Sequence, residues 1–183
     1  MTSLLRFDAV TLRRGGRLLF EGLDFALGAG EALQVTGPNG SGKSSLIRLA
    51  AGLLQAERGR IERSPVALAD ENIALDRELP LKRALKFWSV SVQSAMEALA
   101  ISHLADVPVR LLSSGQGKRA GLARALASGA PLWLLDEPLN ALDSEGAERL
   151  ARIVEQHRAN GGAIVAASHQ TMPGEWRILE LAP

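Results

Sequence analysis

The apolar positions of the chain change period several times, and each change marks an element. Residues 4–35 read as strands broken by glycine turns at Gly15-Gly16, Gly22 and Gly28-Ala29-Gly30. Residues 31–36 form a short strand that runs into a Gly-rich loop. Leu46, Leu49, Ala50 and Leu53 then stand at i, i+3, i+4 and i+7, the apolar face of a helix whose end is interrupted by Gly52. Residues 80–127 are mostly helical in pattern. Met96, Leu99, Ala100 and His103 share one helical face there, and Pro108 stops that segment. Residues 132–135 are wholly apolar, the mark of a strand covered on both faces. Ser144 is placed to cap a helix with a buried stripe of Ala147, Leu150, Ala151 and Val154, ended by Gly161-Gly162. Residues 163–167 read as a second buried strand and 177–181 as a last one. Strand–helix–strand alternation at both ends predicts an α/β fold with a helical insert.

Composition narrows the chemistry. The 183 residues suffice for one compact domain, with a smaller lobe attached. Lys and Arg number 21 against 20 Asp and Glu, so the net charge of +1 supplies no broad field for nucleic acid, and no nucleic-acid partner is expected. There is no cysteine, which excludes disulfides, thiolate metal sites and cysteine nucleophiles. No apolar run approaches the roughly 20 residues that span a bilayer, and the opening stretch lacks a long apolar signal core. A membrane role would have to come through a partner.

Gly37-Pro38-Asn39-Gly40-Ser41-Gly42-Lys43-Ser44 matches G-x-x-x-x-G-K-[ST] between a strand and a helix. Small residues let backbone N–H groups wrap phosphates, and the following helix, with Ser45 in its first turn, points its positive end at them. Lys43 is expected to reach the β- and γ-phosphates and Ser44 to place its hydroxyl on Mg²⁺. The apolar strand at 132–135 ends in Asp136-Glu137. Asp136 is expected to hold Mg²⁺ and Glu137 to polarise the attacking water. Taken by itself, that segment reads equally well as a solvated acidic turn.

The segment Leu112-Ser113-Ser114-Gly115-Gln116 resembles the L-S-G-G-Q signature of ABC-type ATPases. Lys118-Arg119 and Leu122-Ala123-Arg124-Ala125-Leu126 resemble its usual continuation. Leu139-Asn140-Ala141-Leu142-Asp143 looks like the family's D-loop, and His169 like its switch histidine. The resemblance covers Gly37 to His169. It implies a P-loop NTPase fold of ABC type: a mostly parallel core sheet, an N-terminal antiparallel β subdomain and a small helical subdomain at about 73–127, in a single domain of residues 1–183. It also implies ATP and Mg²⁺ as ligands and a homodimer with two nucleotides sandwiched between the chains. In that arrangement Ser113, Ser114, Gly115 and Gln116 of one chain face the phosphate loop of the other. Lys43, Glu137 and His169 carry the hydrolysis.

Three positions depart from the family pattern. Ser114 replaces the first signature glycine. Arg14 stands where most members stack an aromatic ring on adenine; a guanidinium can lie over a purine instead. Asn72, in Asp70-Glu71-Asn72, is the best match to a glutamine that senses Mg²⁺, with Glu71 as an alternative. Finer detail is similar to the ATP-binding subunits of the haem exporters of cytochrome c maturation. It is carried by Leu18-Leu19-Phe20-Glu21-Gly22-Leu23, Leu85-Lys86-Phe87-Trp88, Asp106-Val107-Pro108-Val109-Arg110, Ala130-Pro131-Leu132-Trp133-Leu134-Leu135 and Ser168-His169-Gln170. That likeness implies multi-spanning membrane partners and a peripheral place on the cytoplasmic side of the bacterial inner membrane. A soluble ABC-type ATPase that remodels a protein or nucleic-acid complex, and a subunit of a different small exporter, are the competing readings.

Overall fold

Two sheets organise the chain in a computed structural model that describes residues 3–89 and 92–182; Met1 and Thr2 of the opening stretch lie outside it. The first sheet is antiparallel, in the order β2-β1-β4. Strands β1 (Leu5–Arg14) and β2 (Arg17–Leu27) are joined by Gly15-Gly16, with φ of 55° and 79°. Positive φ at both central residues is what a tight two-residue hairpin requires, and glycine supplies it without strain. Phe7 and Phe25 stack across the pair at 4.6 Å between centroids. Strand β3 (Ala32–Thr36) and helix α1 (Lys43–Ala50) follow, and β4 (Arg58–Arg63) then returns to pair with β1.

The second sheet is parallel and holds β3 with β5 (Val66–Ala69), β6 (Leu132–Asp136), β7 (Ala163–Ala167) and β8 (Arg177–Glu180), in the order β5-β6-β7-β3-β8. Between β5 and β6 lie α2 (Leu81–Lys86), α3 (Val92–Ala98), two 3₁₀ turns and α4 (Ser114–Ala127). Helix α5 (Ser144–Ala159) links β6 to β7. The wholly apolar runs have a direct cause. Leu132 and Leu134 of β6 pack with α1 into one core, while Trp133 and Leu135 face α4 and α5 in another. β7 divides likewise, with Val165 on one side and Ile164 on the other. Side chains alternate across a strand, so a strand covered on both faces must be apolar at every position.

Several expected elements are shorter than their periodicity suggested. Helix α1 stops at Ala50, and Leu53, past the positive-φ Gly52, is 63% exposed rather than on a buried face. Helix α3 stops at Ala98; Ala100 has φ 53°, so Leu99 is buried but His103 sits exposed in a 3₁₀ turn. The cap of α5 is Asp143, whose Oδ1 accepts from the Gly146 N–H at 2.9 Å, and Ser144 is the first helical residue. Its buried stripe is Gly146, Leu150, Ile153 and Val154, with Ala147 and Ala151 only half-buried. Strands β4 and β5 carry little readable pattern: β4 offers one half-buried residue, Ile61, and its pairing with β1 defines it. Among the described residues no helix is long and apolar enough to cross a membrane.

His157, near the end of α5, stacks on the buried Trp133 indole at 4.0 Å and 14°. Its Nε2 lies 3.2 Å from the Pro131 carbonyl, which can only accept, so that nitrogen carries the proton. Burial pushes the imidazole below its ordinary 6.5, against the backbone hydrogen bonds. The unfolded chain therefore binds more protons just below that pH. The stabilisation is complete above the ordinary value and is lost as pH falls from there through the folded one. Urea unfolding at pH 7.5 and 5.5 should show a steeper loss for the wild type than for His157→Gln; equal losses would remove this assignment.

Candidate functional site

The loop after β3 is shaped by its glycines. Gly37 has φ 140°, and a Cβ there would stand 2.6 Å from the Leu181 carbonyl oxygen and 2.8 Å from Ser41 Oγ. Gly42, at φ 104°, precedes α1, and no side chain caps that helix. By contrast, α4 and α5 are capped by Ser113 and Asp143. The first-turn N–H groups of α1 therefore keep their capacity to hold an anion. The Lys43 ammonium, almost buried, donates to the carbonyls of Gly37 (2.8 Å) and Pro38 (3.1 Å) within the loop. Ser44 Oγ donates to Asp136 Oδ1 at 3.1 Å, tying the loop to the end of β6.

The residue after β6, Glu137, has φ 47°, a region that non-glycine residues rarely occupy and that accompanies functional strain. Its N–H donates to the Ala167 carbonyl at 2.8 Å, which anchors it to the end of β7. Its Oε2 lies 2.8 Å from Nδ1 of His169, two residues beyond β7. Gln170 donates to Asn140 Oδ1 at 3.4 Å. Asp136 is buried, and burial raises its carboxyl above the ordinary range; the Ser44 hydroxyl opposes this, the Glu137 charge adds to it, and Lys118 and Arg48 oppose it. All these groups gather at the carboxyl ends of parallel strands, where ligands bind in open α/β sheets.

Helix α4 opens with a reciprocal cap. Ser113 Oγ accepts from the Gln116 N–H (3.3 Å), and Gln116 Oε1 accepts from the Ser113 N–H (2.9 Å). The N–H groups of Ser114 and Gly115 stand ahead of Gln116 in the first turn, where a helix has no partner of its own to offer. Gly115 is pressed against the Asn140-Ala141 turn: a Cβ would meet the Ala141 carbonyl at 2.8 Å. Asp143 in turn binds Arg119 of α4. Its carboxyl is held below the usual range, first by the Gly146 N–H and then by Arg119.

Two cavities meet here. One, of about 340 Å³, is lined by Arg14, Asn39, Lys43, Ser45 and neighbours. The other, of about 460 Å³, is lined by Asp70, Glu71, Ser113, Lys118, Asp136 and Asn140 among others. Ser44 and Glu137 belong to both.

Comparison with known proteins agrees with this layout. The profile of the ABC transporter family matches residues 20–140. The cytochrome c biogenesis ATP-binding export protein CcmA of Sphingopyxis alaskensis is 55% identical over 177 residues, covering 92% of this chain and 91% of that protein. Its counterpart in Novosphingobium aromaticivorans is 52% identical over 176 residues, covering 94% and 92%. The chain belongs to the ABC transporter family. A solved ATP-binding subunit of an ABC transporter superposes with a TM-score of 0.83 at 22% identity, over 91% of this chain and 80% of that one, and so shares the fold. The α/β architecture expected of an ABC ATPase is present: a parallel core sheet, an antiparallel N-terminal sheet and a helical segment.

Against the ABC pattern, the three departures differ in placement. Arg14 reaches the loop side, with Nη1 3.5 Å from Ser45 Oγ and the side chain lining the smaller cavity. Ser114 occupies the first turn of α4 without disturbing the cap. Asn72 is exposed and outside the cavity linings, its N–H bonded to Asp70 Oδ1, whereas Glu71 and Asp70 line the larger cavity. The oxygen donors Ser44 and Asp136 suit a hard cation such as Mg²⁺. Among the described residues no group of three or more acidic or histidine side chains is arranged to hold a metal ion by itself. This is consistent with an ion that takes one or two protein oxygens and completes its shell with water and phosphate. Lys118 belongs to the stretch that resembles the signature's continuation, but that resemblance gives it no part in the site. It enters the cavity because α4 packs beside β5 and so brings the ammonium to the carbonyl at the end of β6, and its residue type carries no periodic signal.

Proposed function

We propose that this chain is the ATP-hydrolysing subunit of a bacterial ABC exporter, the haem exporter of cytochrome c maturation. On this reading it is one nucleotide-binding domain, residues 1–183, with a helical subdomain at about 73–127. It works as a homodimer docked on multi-spanning subunits at the cytoplasmic face of the inner membrane. The observation that carries the ATPase reading is that Ser44 and Glu137 are shared by a phosphate-loop cavity and a signature cavity. The similarity to cytochrome c biogenesis ATP-binding export proteins supports the system.

The chemistry follows from the residues. The loop 37–44 and the N–H groups opening α1 wrap the phosphates, and Ser45 adds a first-turn donor. Lys43 exchanges its two loop carbonyls for phosphate oxygens. Ser44 and Asp136 would hold Mg²⁺, which would supply positive charge to offset that building on the phosphate oxygens. Glu137 accepts a proton from water as its oxygen bonds to the γ-phosphorus, and the β-phosphate oxygen leaves with the bonding pair. His169 orients Glu137 through their 2.8 Å contact. Ser113, Ser114, Gly115 and Gln116 of the second chain close over the γ-phosphate, so hydrolysis removes the contact that holds the dimer shut. Arg14 lies over the base.

Phe87, at the end of α2, is 84% exposed, and its ring meets Trp88 edge-on at 5.3 Å. On this reading the exposed Phe87–Trp88 pair is part of the surface that meets the membrane subunits. The tagged wild-type chain, expressed with its genomic neighbours, should bring down multi-spanning membrane proteins. Phe87→Asp should lose them while still binding ATP. Purification of the wild type with soluble partners alone would favour the remodelling ATPase.

A further inference from the structure

Lys118 lies in the second turn of α4, the helix that opens with the signature. It is half-buried, and its ammonium donates to the backbone carbonyl of Asp136 at 3.0 Å. That carbonyl and the Glu137 N–H belong to one peptide unit, and the N–H is bonded to Ala167 at 2.8 Å. The peptide plane between the metal-binding aspartate and the general base is thus held at both edges, by α4 and by β7. With Glu137 held at φ 47°, the orientation of this plane sets the direction in which its side chain leaves the backbone. Lys118 is also the one cationic side chain lining the larger cavity among the described residues, facing Asp70, Glu71, Asp136 and Glu137. A charge so placed repels a second cation arriving at Asp136 and steadies the carboxylates until it comes.

We propose that Lys118 is a positioning residue: it clamps the Asp136–Glu137 peptide to the signature helix, and its charge sets how much Mg²⁺ the site demands. This rests on the ATPase reading above. Lys118 touches neither water nor nucleotide in this role; it acts through Asp136 and Glu137. The signature helix that faces a neighbouring chain's nucleotide is then mechanically tied to the general base of its own chain.

The test is a Mg²⁺ titration of the binding of a fluorescent ATP analogue, run beside ATPase kinetics for Lys118→Met, Lys118→Gln and Lys118→Arg. Loss of the charge should move half-saturation to about tenfold lower Mg²⁺ in Lys118→Met. Lys118→Gln should shift equally, because it keeps a donor but no charge, and it serves if the methionine variant fails to fold. Lys118→Arg should stay within about twofold of the wild type. The two uncharged variants should lose kcat with little change in KM for ATP, Lys118→Gln less than Lys118→Met because its amide can still hold the carbonyl. A Mg²⁺ midpoint unchanged in both uncharged variants overturns the proposal. A wild type that binds no analogue at any Mg²⁺ concentration overturns the ATPase reading instead.

Discussion

Glu137→Gln should reduce phosphate release by about 10²–10⁴-fold, the range that a positioned general base contributes, while ATP binding persists. The substitution is close to isosteric and removes only the proton-accepting charge. Lys43, Ser44 and Asp136 are untouched, and the 2.8 Å anchor of the Glu137 N–H on Ala167 is a backbone bond that survives. Binding and chemistry therefore separate. With the γ-phosphate uncleaved, the contact that favours the closed dimer is never removed, so the variant should accumulate as a MgATP-dependent dimer. Phosphate release and light scattering on the same preparation check both halves. Turnover within about threefold of the wild type would move the base elsewhere, and His169, in direct contact with Glu137, would be the next residue to test.

Mixing two inactive variants should restore activity. Lys43→Ala disables the phosphate loop. Ser114→Glu places a negative charge where a γ-phosphate would dock, yet leaves the Ser113 cap intact and suits a helix N-terminus. In a head-to-tail dimer each homodimer has two damaged sites, whereas the mixed dimer has one site with both halves intact. Equal mixing makes about half of the dimers mixed, so roughly a quarter of wild-type turnover should return if the sites act independently. Ser44 and Ser113 line the same cavity within one chain, so a site completed in cis is the rival geometry. It predicts no recovery at any mixing ratio, and that result would end the two-chain mechanism.

Much of this site could be read before any coordinates, for a physical reason. The phosphate loop is a local object: eight consecutive residues whose small side chains and positive-φ glycines make the cradle, so spacing alone reveals it. The acidic strand end is nearly as local, since β6 is apolar at each position until Asp136 because both its faces are covered. Helix ends are less legible. The runs ending in Leu53 and His103 kept a helical period past the points where the chain turned at Gly52 and Ala100, because periodicity counts apolar residues and does not see φ. Strand β4 escaped for the opposite reason: Arg58–Arg63 has almost no buried face and is a strand because β1 offers it hydrogen bonds.

Order and spacing of residues along the chain determined the α/β architecture, the family, and the residue types proposed to meet a nucleotide, since each depends on short-range pattern. The tertiary structure alone decided which of them converge: that Glu137 and His169 lie in contact, that Glu71 rather than Asn72 lines the cavity, and that Lys118 reaches the Asp136 carbonyl. These are meetings between elements far apart in sequence. They are set by how α4 packs beside β5 and by where β6 and β7 end in the sheet, and neither leaves a trace in the local order of residues.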